Sequence, residues 1–450
     1  MQGQYQGGVR ACRRLERRLF CAVGMALWML GLLVGGGPAA WAQQAQAPFV
    51  TEYQIDRDAV EVPFEYFNHQ ILVRGDADTK KDLTLLFDTG ATSPVLDKSL
   101  GLVSYHLGDS VIHEAEGDAP GETVWLDNLR LGGKEGDVRA HNIPALLMDL
   151  SQMSQVLGRK VDGVVGLSFM AGYVVEIDYQ QRRLRFYHPR YYSVSQRQPD
   201  NRRDFLFDLI ASTEKGHRSL VHVTGKLHGS YDYEFLLDTG FGGYVSVALA
   251  AAQEAGLFRQ TTPRLYSTSY SVSHRFRTAK IRAPFLMLGE INLSNRVIQV
   301  DFRNAGTYGQ SGIIGNRFLQ NYRVTLDYLR RKLWLERITT KEEPDEAEKP
   351  ALGLSIRTDG KTVSVEKVAR YSPADTSGVH PGDVLVAING QPVSEMSTVQ
   401  VANLLASPHG AMTLALARGA NPTDGTGGDF YSLTLQPTSP LDWEAPRLVR

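Results

Sequence analysis

"LLFDTGATSPVL", Leu85 to Leu96, ends an apolar run in an aspartate and then turns through Thr-Gly. "FLLDTGFGGYVSV", Phe235 to Val247, repeats the device with its aspartate 150 residues later. A short, continuously apolar run broken by Asp-Thr-Gly reads as a buried β-strand that delivers a carboxylate at its tip. One such copy is an ordinary Asp-Gly turn. Two copies call for a comparison of what surrounds them.

The surroundings match. Asp88 is followed 78 residues on by Gly166 in "DGVVGLSFM", and Asp238 is followed 77 residues on by Gly315 in "SGIIGNRFL". "DYQQRRLRF" and "DYLRRKLWL" then begin 90 and 89 residues after their aspartates, at Asp178 and Asp327. Three landmarks in register to within one residue make an internal duplication. Residues 60–188 and 205–338 are the two copies, each a series of short β-rich runs punctuated by Gly, Asp and Asn. If the copies pack about a pseudo-two-fold axis, their loops meet and Asp88 faces Asp238. Two carboxyls about 3 Å apart cannot both ionise easily, so the pair holds one proton. The ionised member can take a proton from water while the protonated one donates to a carbonyl oxygen, which is general acid–base hydrolysis of an amide. Thr89 and Thr239 can hydrogen-bond across to the opposite loop, and Gly90 and Gly240 are read as the residues that let the loops turn.

These motifs resemble the retropepsin-like aspartic peptidases, relatives of retroviral proteases and of pepsin. The resemblance implies a mainly β fold of two acid-protease barrel halves forming a pseudo-dimer in one chain. It implies Asp88 and Asp238 as catalytic residues, with Thr89, Gly90, Thr239 and Gly240 shaping their loops. It also implies that Gly166 and Gly315 allow a strand to pass closely beneath each loop. Phe241 departs from the pattern, because pepsin-like enzymes carry Ser or Thr there and its hydroxyl bonds the aspartate. The family closes a hairpin flap over substrate. That places flap tips at Glu116–Gly121 and near Ser271–His274, with Tyr270 and His274 as candidate substrate contacts.

A third unit fills 351–437. "LGLSI" from Leu352 and "HPGDVLVAINGQPV" from His380 resemble a PDZ domain. By that resemblance the backbone N–H groups of Leu352, Gly353 and Leu354 receive a peptide's C-terminal carboxylate, the peptide adds a strand to a sheet edge, and Val401, Leu404 and Leu405 line the groove. The charged, proline-bounded stretch 339–350 reads as a solvated linker whose 12 residues span on the order of 20 Å as a flexible coil.

Residues 1–42 read as a secretory signal: five arginines, an apolar run from Leu19 to Val34, then small residues at Ala40 and Ala42. Both of the chain's cysteines, Cys12 and Cys21, lie in it. The expectation is an exported protein, periplasmic or secreted in a bacterium, whose mature chain has no disulfide and no thiolate nucleophile. Of the 48 basic and 49 acidic residues, the segment holds five and one, leaving 43 and 48. That balance excludes an electrostatic nucleic-acid binder. "HEAEG" at His113 lacks the second histidine of a zinc-protease helix, and the 11 histidines show no ligand spacing, so no metal and no cofactor is expected. The expected partners are protein or peptide substrates at the cleft and peptide C-termini at the PDZ unit. The alternative is a non-catalytic exported peptide-binding protein using the same cleft and groove, and a further one is a dimer that pairs halves between chains.

Overall fold

The computed structural model describes residues 50–102, 105–114, 117–133, 136–194, 197–200, 203–211, 221–229, 231–270, 275–303, 311–339, 345–358, 362–406, 408–421 and 426–443. The signal read at 1–42 lies outside them.

The architecture is mainly β. In the first half the strand Lys80–Phe87 carries Asp88 at its end, and its last five residues are all buried. This is why the run is apolar without alternation: both faces are covered. It pairs parallel with Gly163–Val165, Leu85 facing Gly163 and Phe87 facing Val165. Val95–Asp97 runs antiparallel on the other side of that short strand. The chain thus leaves along one strand, turns through Asp-Thr-Gly, returns along another, and a later apolar strand is laced between the two.

The second half repeats the weave. Tyr233–Leu237 pairs parallel with Gly312–Ile314, and Val245–Ala248 lies antiparallel on its far side. The duplication read from spacing is a duplication of topology.

The matching hairpins join the halves. Val174–Asp178 and Tyr322–Asp327 pair antiparallel, Val174 against Asp327 and Asp178 against Arg323. Arg183–Tyr187 and Ala59–Phe67 extend this sheet on one side. Lys332–Arg337 and Asp204–Asp208 extend it on the other. A single apolar core runs through both halves, from Val60 and Phe87 to Leu326 and Leu335. The charged residues on this sheet are matched: Arg323 bonds Asp178 at 3.1 Å and Glu336 at 3.1 Å, and Arg185 bonds Glu176 at 2.7 Å.

Each half projects a long hairpin. In the first, Tyr105–Glu114 pairs with Gly117–Gly133. In the second, Leu265–Tyr270 pairs with Arg275–Arg282. The expected flap tips fall partly or wholly on residues outside those described, as do the side chains of Tyr270 and His274.

The PDZ unit has its own core, including Leu352, Val365, Leu385, Val401, Leu405 and Leu414. Leu354–Thr358 sits at the end of its sheet, paired to Val363–Val368. Helix Thr398–Ala406 lies beside that edge. Here two expectations change. Val401 and Leu405 belong to the core, 0% and 8% exposed, rather than to the groove, and of the three only Leu404 is exposed. The burial follows the helical period, since positions four apart share a face.

The reading of 339–350 as a solvated coil also gives way over residues 345–350. Asp345 pairs with Lys280 at 2.5 Å and Glu348 with Arg282 at 2.7 Å. Ala347 is buried with Val297 and Leu441, and its carbonyl accepts from Ser439 Oγ at 2.9 Å. Two of the charges that suggested solvation, Asp345 and Glu348, are paired with cations of the second half.

Candidate active site

Two half-buried aspartates meet above a fully buried pair of threonines. Thr89 Oγ1 donates to the carbonyl of Leu237 at 2.7 Å and accepts from the amide of Thr239 at 3.1 Å. Thr239 Oγ1 donates to the carbonyl of Phe87 at 2.7 Å and accepts from the amide of Thr89 at 3.0 Å. Each hydroxyl therefore reaches into the opposite half and satisfies one buried donor and one buried acceptor there. Four cross-bonds of this kind leave the two loops little freedom to slide.

The glycines owe their place to contact. Gly90 and Gly240 are absent from the positive-φ residues, so left-handed backbone is not the reason for them. A methyl on Gly90 would come within 2.5 Å of the Asp238 carboxyl carbon, and one on Gly240 would meet the Asp88 carboxylate as closely. The sequence reading assigned these glycines to turning; the structure assigns them to clearance for the facing carboxyl. Gly166 and Gly315 do provide close passage: a Cβ on Gly166 would lie 2.5 Å from the carbonyl oxygen of Ser93, and one on Gly315 would meet those of Phe241 and Gly243.

The two carboxyls are held alike. Asp88 Oδ1 accepts from Gly90 N at 2.7 Å, and Asp238 Oδ1 accepts from Gly240 N at 2.7 Å and Phe241 N at 3.1 Å. The carboxyls face each other closely enough to couple electrostatically. Burial raises Asp88 above the ordinary carboxylate range, while Asp238 and backbone donors oppose that rise. Asp238 is likewise raised well above that range, by burial first and then by the charge of Asp88. Both members of the facing pair are thus pushed toward the protonated form, and the pair favours holding one proton between them. Phe241 offers Asp238 its backbone amide and no side-chain hydroxyl.

Sequence reasoning missed an asymmetric set of anchors. Asn316, fully buried next to Gly315, donates through Nδ2 to the carbonyls of Thr239 and His69. Its Oδ1 accepts from Tyr179 Oη at 2.6 Å. Gln70 Nε2 donates to the Gly240 carbonyl at 2.9 Å. Half one's hairpin tip at His69–Gln70 thus braces half two's loop. The corresponding position after Gly166 is Leu167, which has no such side-chain donor. A polar residue inside "SGIIGNRFL" was the visible signal.

At the PDZ unit, Gly353 has φ +81°, with the Leu352 side chain buried in the core and Leu354 opening the edge strand. A Cβ on Gly353 would come within 3.0 Å of the Trp443 ring, which therefore stands against this loop. Ala351 bridges to Thr438, bringing the C-terminal segment alongside. Among the described residues no cluster of three or more His, Cys, Asp or Glu is placed to hold a metal ion.

Residues 73–169 match the family model described as aspartyl protease, and residues 342–417 match that of the PDZ domain. The first match contains Asp88-Thr89-Gly90 and Gly166. No curated protein matches the chain. Among solved structures, the aspartic proteinase from Irpex lacteus is similar at 12% identity and a TM-score of 0.40, covering 63% of this chain and 100% of its own. The chain carries an aspartyl protease domain and a C-terminal PDZ domain.

Proposed function

We propose that this protein is an exported aspartic endopeptidase that activates water between Asp88 and Asp238, with peptide C-termini docking at its PDZ domain. The observation that carries the reading is a facing carboxyl pair held by reciprocal threonine bonds. Asp88, ionised, takes a proton from water as the oxygen attacks the peptide carbonyl. Asp238, protonated, donates to that carbonyl oxygen. Collapse of the tetrahedral species then returns a proton to the leaving amine. No covalent intermediate is needed. The open edge at Leu354–Thr358 beside helix Thr398–Ala406 suits strand addition by a peptide. Because residues 345–350 are packed on the second half, a docked peptide is presented from a set position instead of from a swinging tether.

The test is cleavage of a mixed peptide library by the wild type, Asp88→Asn and Asp238→Asn across acidic to neutral pH, with unfolding curves as a fold control. Each substitution should lower cleavage by at least about a hundredfold, the lower range for losing an acid or base, while the protein stays folded. Substantial cleavage by either variant rejects the dyad. Peptide binding by a wild type that cleaves nothing supports the non-catalytic alternative.

A further inference from the structure

We propose that Gln70 and Asn316, one side-chain amide from each half, are positioning residues for Asp238 that fix the two peptide units holding its carboxyl. The inference rests on the peptidase reading and adds to it a control on turnover from outside the Asp-Thr-Gly motif.

Asp238 Oδ1 accepts from two consecutive amides, Gly240 N at 2.7 Å and Phe241 N at 3.1 Å. In a trans peptide unit the carbonyl points away from the N–H, so a bond to the carbonyl sets the aim of the N–H. The unit that presents Gly240 N begins at the Thr239 carbonyl, which accepts from Asn316 Nδ2. The unit that presents Phe241 N begins at the Gly240 carbonyl, which accepts from Gln70 Nε2 at 2.9 Å. Each chain therefore runs from side-chain amide through peptide unit to carboxyl, and hydrogen bonds in series polarise one another. Both backbone donors oppose the rise that burial and Asp88 impose on Asp238. The Phe241 amide also lies 3.3 Å from the Asp238 main-chain carbonyl, so its aim at Oδ1 is the one more easily lost.

The two amides are themselves held. Asn316 is fully buried, its Nδ2 also donates to the His69 carbonyl at 2.8 Å, and its Oδ1 accepts from Tyr179 Oη at 2.6 Å. Gln70 is half-buried on a hairpin tip packed against the second aspartate loop. A Cβ on Gly242 would lie 3.1 Å from Gln70 Nε2 and 3.4 Å from the Asn68 carbonyl oxygen. Gln70 Oε1 is buried and meets no hydrogen-bond partner among the described residues. One bond made and one buried acceptor stranded nearly cancel in stability, so stability does not account for a glutamine here. Holding the Gly240–Phe241 peptide unit does.

The device is one-sided. Leu167 N bonds the Ala91 carbonyl at 2.7 Å, as Asn316 N bonds that of Phe241 at 2.8 Å, but leucine has no side-chain donor to offer the Thr89 carbonyl. In the proposed reaction Asp238 is the member that gives its proton to substrate and turns anionic. Donors already aimed at Oδ1 stabilise that anion as it forms. Their effect belongs in kcat and not in KM.

The experiment compares full-length wild type with Gln70→Met, which keeps the length and removes the amide, and Gln70→Glu, which puts an acceptor where the donor was. Asn316→Asp, which keeps an acceptor for Tyr179, is the third variant. The readouts are kcat and KM on one peptide that the wild type cleaves, and the urea midpoint. Independently of cleavage, calorimetry gives the affinity for a peptide with a statine-type hydroxyl in place of the scissile bond. Gln70→Met should lower kcat and the statine-peptide affinity by about tenfold each, the scale of one hydrogen bond to a charged group. KM and the urea midpoint should stay near wild type. Gln70→Glu should lose at least as much, and Asn316→Asp should lose kcat beyond its folded fraction. Unchanged kcat and statine-peptide affinity in Gln70→Met overturn the positioning role and leave the peptidase reading standing. A rise in KM alone makes Gln70 a substrate contact, and a kcat loss equal to the loss of folded protein makes it a structural one; either overturns the proposal. Gln70-dependent statine-peptide affinity in a wild type that cleaves nothing retains the positioning role and overturns the peptidase reading. A wild type that neither cleaves nor binds overturns both.

Discussion

Replacing Thr89 with valine keeps the shape of a fully buried side chain and deletes its hydroxyl. The hydroxyl has two tasks in the opposite half: it donates to Leu237 O at 2.7 Å and accepts from Thr239 N at 3.1 Å. Both partners are backbone groups beneath the aspartates, shut away from water, and neither gains a substitute from a methyl group. An unsatisfied buried donor or acceptor costs about 1–3 kcal/mol. Two of them predict a loss of about 2–6 kcal/mol, against a total stability of about 5–15 kcal/mol for a typical domain. Urea unfolding followed by intrinsic fluorescence reads the loss as a lower midpoint. Thr89→Ser keeps the hydroxyl and should recover most of it. The aspartates stand on these loops, so peptide cleavage by Thr89→Val should fall further than its folded fraction does. A loss below about 1 kcal/mol would refute the reasoning, since one orphaned group alone should cost that much. A large stability loss with full specific activity in the folded fraction would show that the threonines join the halves without placing the carboxyls.

Two further outcomes follow from the same geometry. Asp238 is raised well above the ordinary carboxylate range in the folded protein, so its contribution to stability is complete below the unfolded-state value of about 3.9 and is lost as pH rises through its folded value. Asp238→Asn has no such proton to lose, so its melting temperature relative to wild type should climb between pH 4 and pH 7; a flat or falling difference would mean that the proton is not held there. Trp443 stands against Gly353, so Trp443→Ala should tighten binding of a labelled peptide with a free C-terminus several-fold, measured by anisotropy in the Asp88→Asn protein, whereas unchanged affinity would place the ring off the peptide's path.

What the amino-acid order determined is whatever depends on local pattern and on repetition. Runs such as Leu85–Phe87 and Phe235–Leu237 are apolar at successive positions because strands buried on both faces have no polar side to show. Spacing that matches to within one residue from Asp88 to Gly166 and from Asp238 to Gly315 carries over into equal topology, the short strand laced beside each loop in both halves. The PDZ motif is likewise local, a loop and hairpin of contiguous residues. Only tertiary structure decided the rest, because it depends on which surfaces meet. Gly90 reads as a turn residue until Asp238, from the other half, occupies the space where its Cβ would be. Asn316 shows one polar letter in an apolar run, and its partners Tyr179 and His69 lie 137 and 247 residues away. The charges around Asp345 look like solvated linker in sequence, since composition records charge and not where the countercharges are. Docking set Lys280 and Arg282 opposite Asp345 and Glu348 and buried Ala347 against Val297 and Leu441, turning part of an apparent tether into a packed segment.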